Sequence, residues 1–418
     1  MTLTWYVDKI SGSGNSGSSE GSPKASGTGA ATDATATVAL SVDTPDLSTV
    51  VVGDTIRLNG RTDGIRNTDI FEITAIDDTL DTVTVTPTPG SITAGVTWAI
   101  GGAFNTISES MLVCRSTDTV WIKDSADYNE TVTISIASAY TNIVIEGYAS
   151  VTGDGGMIIV DGQSVRSFGL TTSLAGVYIY YVFKNIEFIN HTSDGAKFTT
   201  GYMMTFKNCW FNNNAGHGFN IQQINHCNFE NCKFNDNGIN GLLENTSSTQ
   251  YNCFIDCEYM RNASYGCHVT NSIISNCVFF DNGSIQIRVT SSQDIFINHC
   301  TIDGKDKDSI GIDLDNRNYL TPVIINNIVV GCASGFVTAS GLGEMMTSRS
   351  NLFYDNTINY IGGAFTLENE VLADPKFNNR STQDYRLLVS SPAIGAGYDA
   401  SSLAGVDSGC DIGAYQSI

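Results

Sequence analysis

The chain has 418 residues and a formal net charge of −22 at pH 7, with 43 acidic residues against 21 basic ones. This balance excludes a nucleic-acid partner, because phosphate contacts require a footprint of lysine and arginine side chains. Charged residues make up only 15% of the chain, and there are 41 glycines but 7 prolines, which favours short strands joined by glycine turns over charged surface helices.

The N-terminal sequence MTLTWYVDKISGSG has no basic region followed by an apolar run, so no secretory signal is recognisable. No stretch approaches the ~18 consecutive apolar residues of a transmembrane helix. We therefore expect no membrane insertion and synthesis in a cytoplasm without export by the general pathway. The 11 cysteines predict a reducing site of synthesis, because a disulfide scaffold is unusual in so long a chain.

The first 102 residues divide into two segments. Residues 1–36 contain a strand-like LTWYVD and then a Gly/Ser/Ala/Thr-rich stretch, which predicts an N-terminal strand and a flexible arm. Residues 37–102 alternate apolar and polar side chains in the runs TVALSV, DTIRLNG, DIFEITAID, DTVTVTP and VTWAIGG. This period of two, interrupted by turn residues, predicts a small β-barrel or β-sandwich.

Residues 103–117 follow a helical pattern, and Thr106 or Ser108 could cap the N-terminus of the helix. Such a helix would cover the end of a stacked sheet and protect its edge. The apolar residues predicted to share its buried face are Phe104, Ile107, Met111 and Leu112.

Residues 118–365 repeat a short motif. FKNCWFNNNAGHGFN at 206–220 is echoed 23 residues later by FENCKFNDNGINGLL at 229–243, and such an echo indicates a repeat architecture. Each copy has an Asn, Asp or His at an anchor position before a cysteine or its equivalent. The anchors are Asn185, Asn208, Asn231, Asp256, Asn276, His299, Asn326 and Asn351.

The cysteine and the residue two positions later are predicted to point inward together, because residues two apart in a strand face the same side. The inward cysteines are Cys209, Cys232, Cys257, Cys277 and Cys300. Their inward partners are Phe211, Phe234, Tyr259, Phe279 and Ile302, and the outward residues between them are Trp210, Lys233, Glu258, Val278 and Thr301.

Four asparagines stand five residues after four of these cysteines. Asparagine tolerates left-handed backbone at a corner, and stacked amides can hydrogen-bond in a ladder. A repeat of this length, with short strands and corner Asn or Gly residues, predicts that each unit is one coil of a parallel β-helix. The asparagines are Asn214, Asn237, Asn262 and Asn282.

The chain resembles the right-handed parallel β-helix proteins of the pectate-lyase-like superfamily. The similar segments are WYVDKISGSG, AFNTI and, within residues 372–416, LADPKFNNRSTQDYRLLVSSPAIGAGYD and CDIGAYQ. The resemblance implies an all-β fold with the small β domain at 37–102 as an N-terminal insertion, a capping helix at 103–117, the β-helix at 118–365 and a C-terminal cap at 366–418. It leaves the activity open among lyases, glycosidases, adhesins and phage surface proteins.

His217, in the motif NAGHGFN, resembles one element of the polygalacturonase-type hydrolases. Those enzymes also have a pair of adjacent aspartates upstream and an Arg-x-Lys downstream, whereas this chain offers only Asp194 and Arg288. The carboxylate pair required for glycoside hydrolysis is therefore missing. We interpret His217 as a corner residue of an ordinary coil, with a catalytic role as the alternative.

The segment DGKDKDSIGIDLDNRN, residues 303–318, interleaves carboxylates with cations. It resembles the sites of calcium-dependent lyases of this fold, where several aspartates hold Ca²⁺ and a lysine is the base. The alternative is a solvated turn whose charges pair locally, and no other cofactor is predicted. The candidate metal ligands are Asp303, Asp306, Asp308, Asp313 and Asp315, and the candidate bases are Lys305 and Lys307.

Two further residue sets have two interpretations each. Cysteines with nearby histidines resemble zinc ligands, but their spacing follows the coil, which favours thiols as small apolar filler. Outward aromatic rings could stack on sugars or could be surface decoration without a ligand. The cysteines are Cys227, Cys232, Cys253 and Cys257, and the rings are those of Trp210, Tyr251 and Tyr265.

Two functions fit these observations. In the first, the chain is a non-enzymatic component of a bacteriophage particle, either a capsid decoration or a tail-associated spike, that attaches to other virion proteins through its N-terminal region and presents the β-helix to host glycans. In the second, it is a polysaccharide lyase or hydrolase acting in the groove of the helix, in an extracellular or cell-surface location. The resemblance also implies a homo-oligomer, with a trimer as the expected state.

Overall fold

The computed structural model describes residues 3–11, 15–32, 34–40, 45–61, 63–65, 68–134, 142–172, 180–199, 201–222, 224–245, 250–290, 295–315, 322–338, 346–362, 365–398 and 410–414. The chain divides into two compact units, residues 1–161 with 178–186 and residues 162–177 with 187–418. Within the described ranges, no helix is long and apolar enough to cross a bilayer. The predicted fold class, a parallel β-helix with a small N-terminal β-barrel, is confirmed.

Six antiparallel strands close the barrel in the first unit. Five come from the predicted β domain, and the sixth, Ala25–Thr32, comes from the segment predicted as a flexible arm. Alternation places Val38, Ile56, Phe71 and Trp98 in the barrel interior. The order around the barrel is Ala25–Thr32, Thr37–Ala39, Thr82–Thr86, Ile70–Asp77, Thr55–Leu58 and Ile92–Ile100.

The predicted capping helix, α1, spans Ile107–Val113. Its N-terminus is fixed by a capping box, in which the Thr106 side chain accepts from the Glu109 N–H and the Glu109 carboxylate accepts from the Thr106 N–H. Met111 is buried, but Leu112 is 59% exposed. The prediction that Leu112 shares the buried face is therefore wrong, because consecutive helical residues are rotated by ~100° about the axis.

The remaining strands of the first unit belong to the β-helix. Thr4–Val7, Thr119–Lys123, Asn142–Tyr148 and Tyr180–Lys184 pair in parallel in that order. Val132–Ile134 and Ile158–Asp161 are the other strands of this unit.

The second unit stacks coils of three strands, and equivalent strands of successive coils pair in parallel to form sheets A, B and C. The strands of sheet A are Thr205–Lys207, Asn228–Glu230, Gln250–Ile255, Asn271–Ser275, Phe296–Asn298, Val323–Ile325, Met346–Arg349 and Phe365–Glu368. The strands of sheet B are Ile186–Ile189, Trp210–Asn212, Lys233–Asn235, Glu258–Met260, Val278–Phe280, Thr301–Asp303, Ile328–Val330, Leu352–Tyr354 and Val371–Leu372. The strands of sheet C are Leu170–Thr172, Ala196–Phe198, Phe219–Ile221, Leu242–Glu244, Tyr265–Val269, Ile285–Thr290, Ile310–Asp315, Ser334–Thr338 and Ile358–Ile361. Gly201–Tyr202 also pairs with Ile224–Asn225.

The predicted cysteine and aromatic columns are present in the interior of the coils. Cys209, Cys232, Cys257, Cys277 and Cys300 are at most 2% exposed. In the neighbouring column the ring of Phe234 stacks on that of Tyr259 with centroids 4.8 Å apart, and Tyr259 stacks on Phe279 at 4.6 Å. Asn327 and Asn351 continue the cysteine column: the Cys300 N–H donates to Asn327 Oδ1 at 2.9 Å, and Asn327 Nδ2 donates to Asn351 Oδ1 at 3.0 Å.

The predicted asparagine ladder is also present. The Nδ2 group of Asn237 donates to Asn262 Oδ1 at 3.0 Å, and that of Asn262 donates to Asn282 Oδ1 at 2.8 Å. The left-handed backbone, however, belongs to the residue directly before each ladder asparagine, such as Arg261 with φ of 52°. The prediction that the asparagines themselves adopt it is wrong. Seven of the eight anchor residues also have positive φ. At the eighth anchor, Asn351, the positive φ belongs to the preceding residue, Ser350.

The C-terminal segment folds back along the outer face of sheet B. It contains Phe377–Asn379, the 3₁₀ turn Arg380–Thr382 and the antiparallel strand Asp384–Leu387. Val278 and Thr301 point outward, as predicted, but are only 3% and 1% exposed because this segment covers them.

Candidate functional site

A row of polar and cationic side chains follows the outer face of sheet C. The row is fixed by the strand register, which aligns one outward residue from each of seven successive strands. Lys197 and Arg288 stand four strands apart, or ~19 Å at the ~4.8 Å spacing of a sheet. The row runs Lys197, Asn220, Leu243, His268, Arg288, Asp313 and Val337.

A second row stands beside the first at the N-terminal ends of the same strands, and it consists of Phe168, Asp194, His217, Asn240 and Tyr265. The Asp194 carboxylate is buried and accepts from the His217 backbone N–H at 2.9 Å and from Asn220 Nδ2 at 3.0 Å. In the next coils the Asn240 side chain accepts from the Tyr265 N–H at 3.1 Å. These hydrogen bonds tie each coil to its neighbour and hold the second row in place.

An aromatic ring pairs with a cation at two places on this face. Lys197 Nζ lies 5.2 Å from the centroid of the Phe168 ring, and Arg288 Cζ lies 5.5 Å from that of Tyr265. Arg288 also pairs with Asp313 at 3.3 Å. Each pair combines an apolar face with a cation that can bind a carboxylate.

His217 lies between the two pairs and is partly buried. Burial lowers the pKa of His217, as does the charge of Lys197, although the nearby Asp194 carboxylate acts in the opposite direction. The imidazole is therefore neutral at pH 7. Thus one face of the helix carries His217, Asp194 and Arg288, which are the residues that resemble elements of the polygalacturonase-type hydrolases.

The acidic segment that begins at Asp303 is arranged differently. Asp303 is fully buried and accepts from Arg380 Nε at 2.8 Å and Nη2 at 2.6 Å. Lys305 pairs with Asp281 at 2.7 Å, and this ion pair raises the pKa of Lys305, whereas a general base requires a lowered pKa. Lys307 pairs with Asp355 at 2.5 Å.

Asp306, Asp308 and Asp313 have surroundings that differ from those of Asp303. Asp306 and Asp308 are exposed, and Asp313 belongs to the row on sheet C. The side chain of Asp315 is outside the described part of the structure. Within that part, no group of three His, Cys, Asp or Glu side chains is placed to hold a metal ion, and this includes the cysteines considered as zinc ligands.

The three predicted sugar-binding aromatics lie on three different sheets. Trp210 is on the outer face of sheet B, where Lys233 Nζ lies 5.0 Å from its ring centroid. Tyr251 is in a strand of sheet A and stacks on His226 at 5.7 Å. Only Tyr265 belongs to the polar rows on sheet C.

Several members of these rows were missed in the sequence: Phe168, Lys197, Asn220, Asn240 and His268. The sequence does contain a pattern that could have identified the first row. Asn220, Leu243, His268 and Arg288 each stand 11 residues after Cys209, Cys232, Cys257 and Cys277. A constant offset from a buried column marks another column of the same solenoid.

Comparisons with known proteins agree with the architecture. A family model described as "Right handed beta helix region" matches residues 120–272 and 252–372. The structure is similar to that of the pectate lyase Pel9A, with a TM-score of 0.58 and 16% identity over 76% of this chain and 92% of that one. At this identity the similarity concerns the fold alone. No curated protein matches the chain.

Two weaker structural similarities carry no argument about function. One is to the A-module of the mannuronan C-5 epimerase AlgE6 of Azotobacter vinelandii, with a TM-score of 0.39 and 14% identity over 62% of this chain and 91% of that one. The other is to the tailspike protein gp49 of Pseudomonas phage LKA1, with a TM-score of 0.24 and 12% identity over 88% of this chain and 66% of that one.

Proposed function

Because the chain belongs to the right-handed β-helix family, we propose that it is a non-enzymatic, glycan-binding protein on the surface of a bacteriophage particle. Its ligand would be a polysaccharide that carries carboxylates and lies along the outer face of sheet C. The observation that carries this proposal is the in-register row of Lys197, His268 and Arg288, with an aromatic–cation pair toward each end.

An acidic glycan matches this face in shape and charge. Sugar rings present apolar patches that stack on aromatic faces, and guanidinium and ammonium groups bind carboxylates. The row repeats every ~4.8 Å along the helix axis, so a linear polymer can contact several coils in succession.

The placement on a virion rests on chemistry and on the resemblance. Nine of the 11 cysteines are buried in the interior, and this use of cysteine as apolar filler fits synthesis in a reducing compartment. We propose that the N-terminal region, including the barrel, attaches the protein to other virion proteins, either as a capsid decoration or as part of a tail spike. Deletion of residues 1–100 is then expected to abolish particle attachment.

Glycan binding is tested by isothermal titration with acidic and neutral polysaccharides at two salt concentrations. Lys197→Ala and Arg288→Ala are each expected to weaken binding to an acidic glycan about tenfold, because each removes one cation–aromatic contact and one ion pair with the glycan. Lys233→Ala, which removes a similar cation–aromatic pair from sheet B, is the matched control. Equal affinity for neutral glycans, or an equal effect of the control, would contradict the proposal.

The alternative is a polysaccharide lyase or hydrolase that uses the same face. One observation favours it: His217 has an imidazole that stays neutral at pH 7 and can accept a proton. Incubation of the wild type with acidic glycans, with calcium or with chelator, distinguishes the two functions. Appearance of unsaturated uronate or of new reducing ends, abolished by His217→Ala, would replace the binding function with an enzymatic one.

A further inference from the structure

The outer face of sheet A carries two columns of residues, and the first has charged residues at both ends and uncharged residues in its middle. The strand register aligns eight outward residues in each column. The first column is Lys207, Glu230, Ile255, Ser275, Asn298, Ile325, Arg349 and Glu368. The second column is Thr205, Asn228, Cys253, Ile273, Phe296, Val323, Thr347 and Thr366.

The middle four coils of this face carry no charged side chain in either column, and most of their residues are apolar. Ile273 is 40% exposed, and Cys253, Phe296 and Val323 are partly exposed. Contiguous apolar residues on an outward sheet face, bordered by charges, are typical of an interaction surface. In the neighbouring column Ile325 is buried.

An ion pair borders the apolar part at each end. Lys207 pairs with Glu230 at 2.5 Å, and Arg349 pairs with Glu368 at 3.4 Å. Along the helix axis the charges therefore follow the order positive, negative, neutral, positive, negative. When the axis is reversed, the order becomes negative, positive, neutral, negative, positive, so that each charge meets one of opposite sign.

A two-fold axis parallel to the strands performs this reversal and places each column opposite itself. Lys207 then faces Glu368 of the other copy, Glu230 faces Arg349, and Ile273 faces Phe296. A parallel arrangement of copies, as in a three-fold spike, instead brings the two copies' lysines to one level and their glutamates to another, which is unfavourable.

We propose that a second copy of this chain packs on sheet A in an antiparallel, two-fold symmetric dimer. The resemblance implies a trimer, whereas this geometry gives a two-fold dimer, and the dimer is independent of glycan binding on sheet C. The two columns cover ~34 Å by ~10 Å, which is less than the ~800 Å² per partner of a standard interface. The dimer is therefore expected to be weak and to dissociate on dilution.

Charge reversal distinguishes the two geometries in analytical ultracentrifugation. The double variant Lys207→Glu/Glu368→Lys places two negative charges opposite two positive ones across the antiparallel interface, so dimerisation is expected to tighten about tenfold. In a parallel assembly the same variant places like charges together and is expected to weaken association. Lys207→Glu alone is expected to weaken the antiparallel dimer.

Crosslinking tests the register directly. In the antiparallel dimer Cys253 faces Val323 of the other copy, and the two Cys253 thiols are ~14 Å apart along the axis. Val323→Cys is then expected to give a covalent dimer with a short bismaleimide, since facing sheets lie ~10 Å apart. Neither the wild type nor the control Cys253→Ser/Val323→Cys should do so.

Three results would overturn the proposal. The first is a wild type that remains monomeric at the highest soluble concentration. The second is a trimer, and the third is wild-type crosslinking through Cys253. Thermal unfolding of each variant shows whether the coil stack itself is intact.

Discussion

Replacement of Arg380 by methionine is expected to release the C-terminal segment from sheet B. Arg380 donates two hydrogen bonds to the fully buried Asp303, which also accepts from Tyr385 Oη at 3.0 Å and from the Lys305 N–H at 2.8 Å. Loss of one partner of a buried ion pair costs about 3–5 kcal/mol. The Arg380 side chain is 31% exposed, so water can partly replace it, and we expect about 2–3 kcal/mol.

Hydrogen exchange and limited proteolysis of residues 377–398 measure this opening, because the coils can remain folded while the segment detaches. Asp303→Asn and the double variant complete a thermodynamic cycle, in which a coupling free energy above about 1.5 kcal/mol is expected. The same variants test the sequence interpretation of Asp303 as a calcium ligand. If Arg380 is its partner, calcium and chelator leave the wild-type transition unchanged.

The reasoning would be refuted by single variants that change neither exchange in residues 377–398 nor the unfolding transition. A coupling free energy near zero would have the same meaning. A calcium-dependent transition that is lost in Asp303→Asn would instead favour the metal site.

Other perturbations probe the interior. Asn262→Ala leaves several buried polar groups without partners, and each costs about 1–3 kcal/mol. The free energy of unfolding, measured in urea, should therefore fall by about 3–6 kcal/mol. The control Asn298→Ala, on the outer face of sheet A, should lower it by less than about 1 kcal/mol. Burial raises the pKa of Glu370 to about 7, against hydrogen bonds from Ser348 and Asn351 that lower it. As the pH rises, Glu370 in the folded protein keeps its proton after Glu370 in the unfolded chain has lost it. The contribution of Glu370 to stability therefore falls between about pH 4.5 and 7. Glu370→Gln should raise the melting temperature at pH 8 but not at pH 4. Met111→Ala should cost about 2–5 kcal/mol and Leu112→Ala less than about 0.5 kcal/mol, which calorimetry can compare directly.

The coil architecture was predictable because its signal is local and repeated. Each coil places a cysteine such as Cys232 and a ring such as Phe234 at the same two positions, and repetition averages out the uncertainty of any single strand. The barrel strand Ala25–Thr32 was missed for the opposite reason. Its glycines and alanines have the composition of a linker, and only closure of the barrel makes the segment a strand.

Long-range partners explain the other differences. Asp303 has the sequence context of a metal ligand, and its counter-ion Arg380 lies 77 residues away. Thr301 accepts from the Ala414 N–H, 113 residues away. Such pairings depend on how a chain folds back on itself, and no periodicity within the coils encodes them.

The buried thiols have a consequence for the lifetime of the protein. Nine of the 11 cysteines are buried, and only Cys253 and Cys410 are partly exposed. In aerobic surroundings an intact molecule keeps the nine buried sulfur atoms away from oxidants. A molecule that opens even once exposes these thiols, which can then form wrong disulfides. Durability in such surroundings is then governed by how slowly the coils come apart, and not by the equilibrium between folded and unfolded chains.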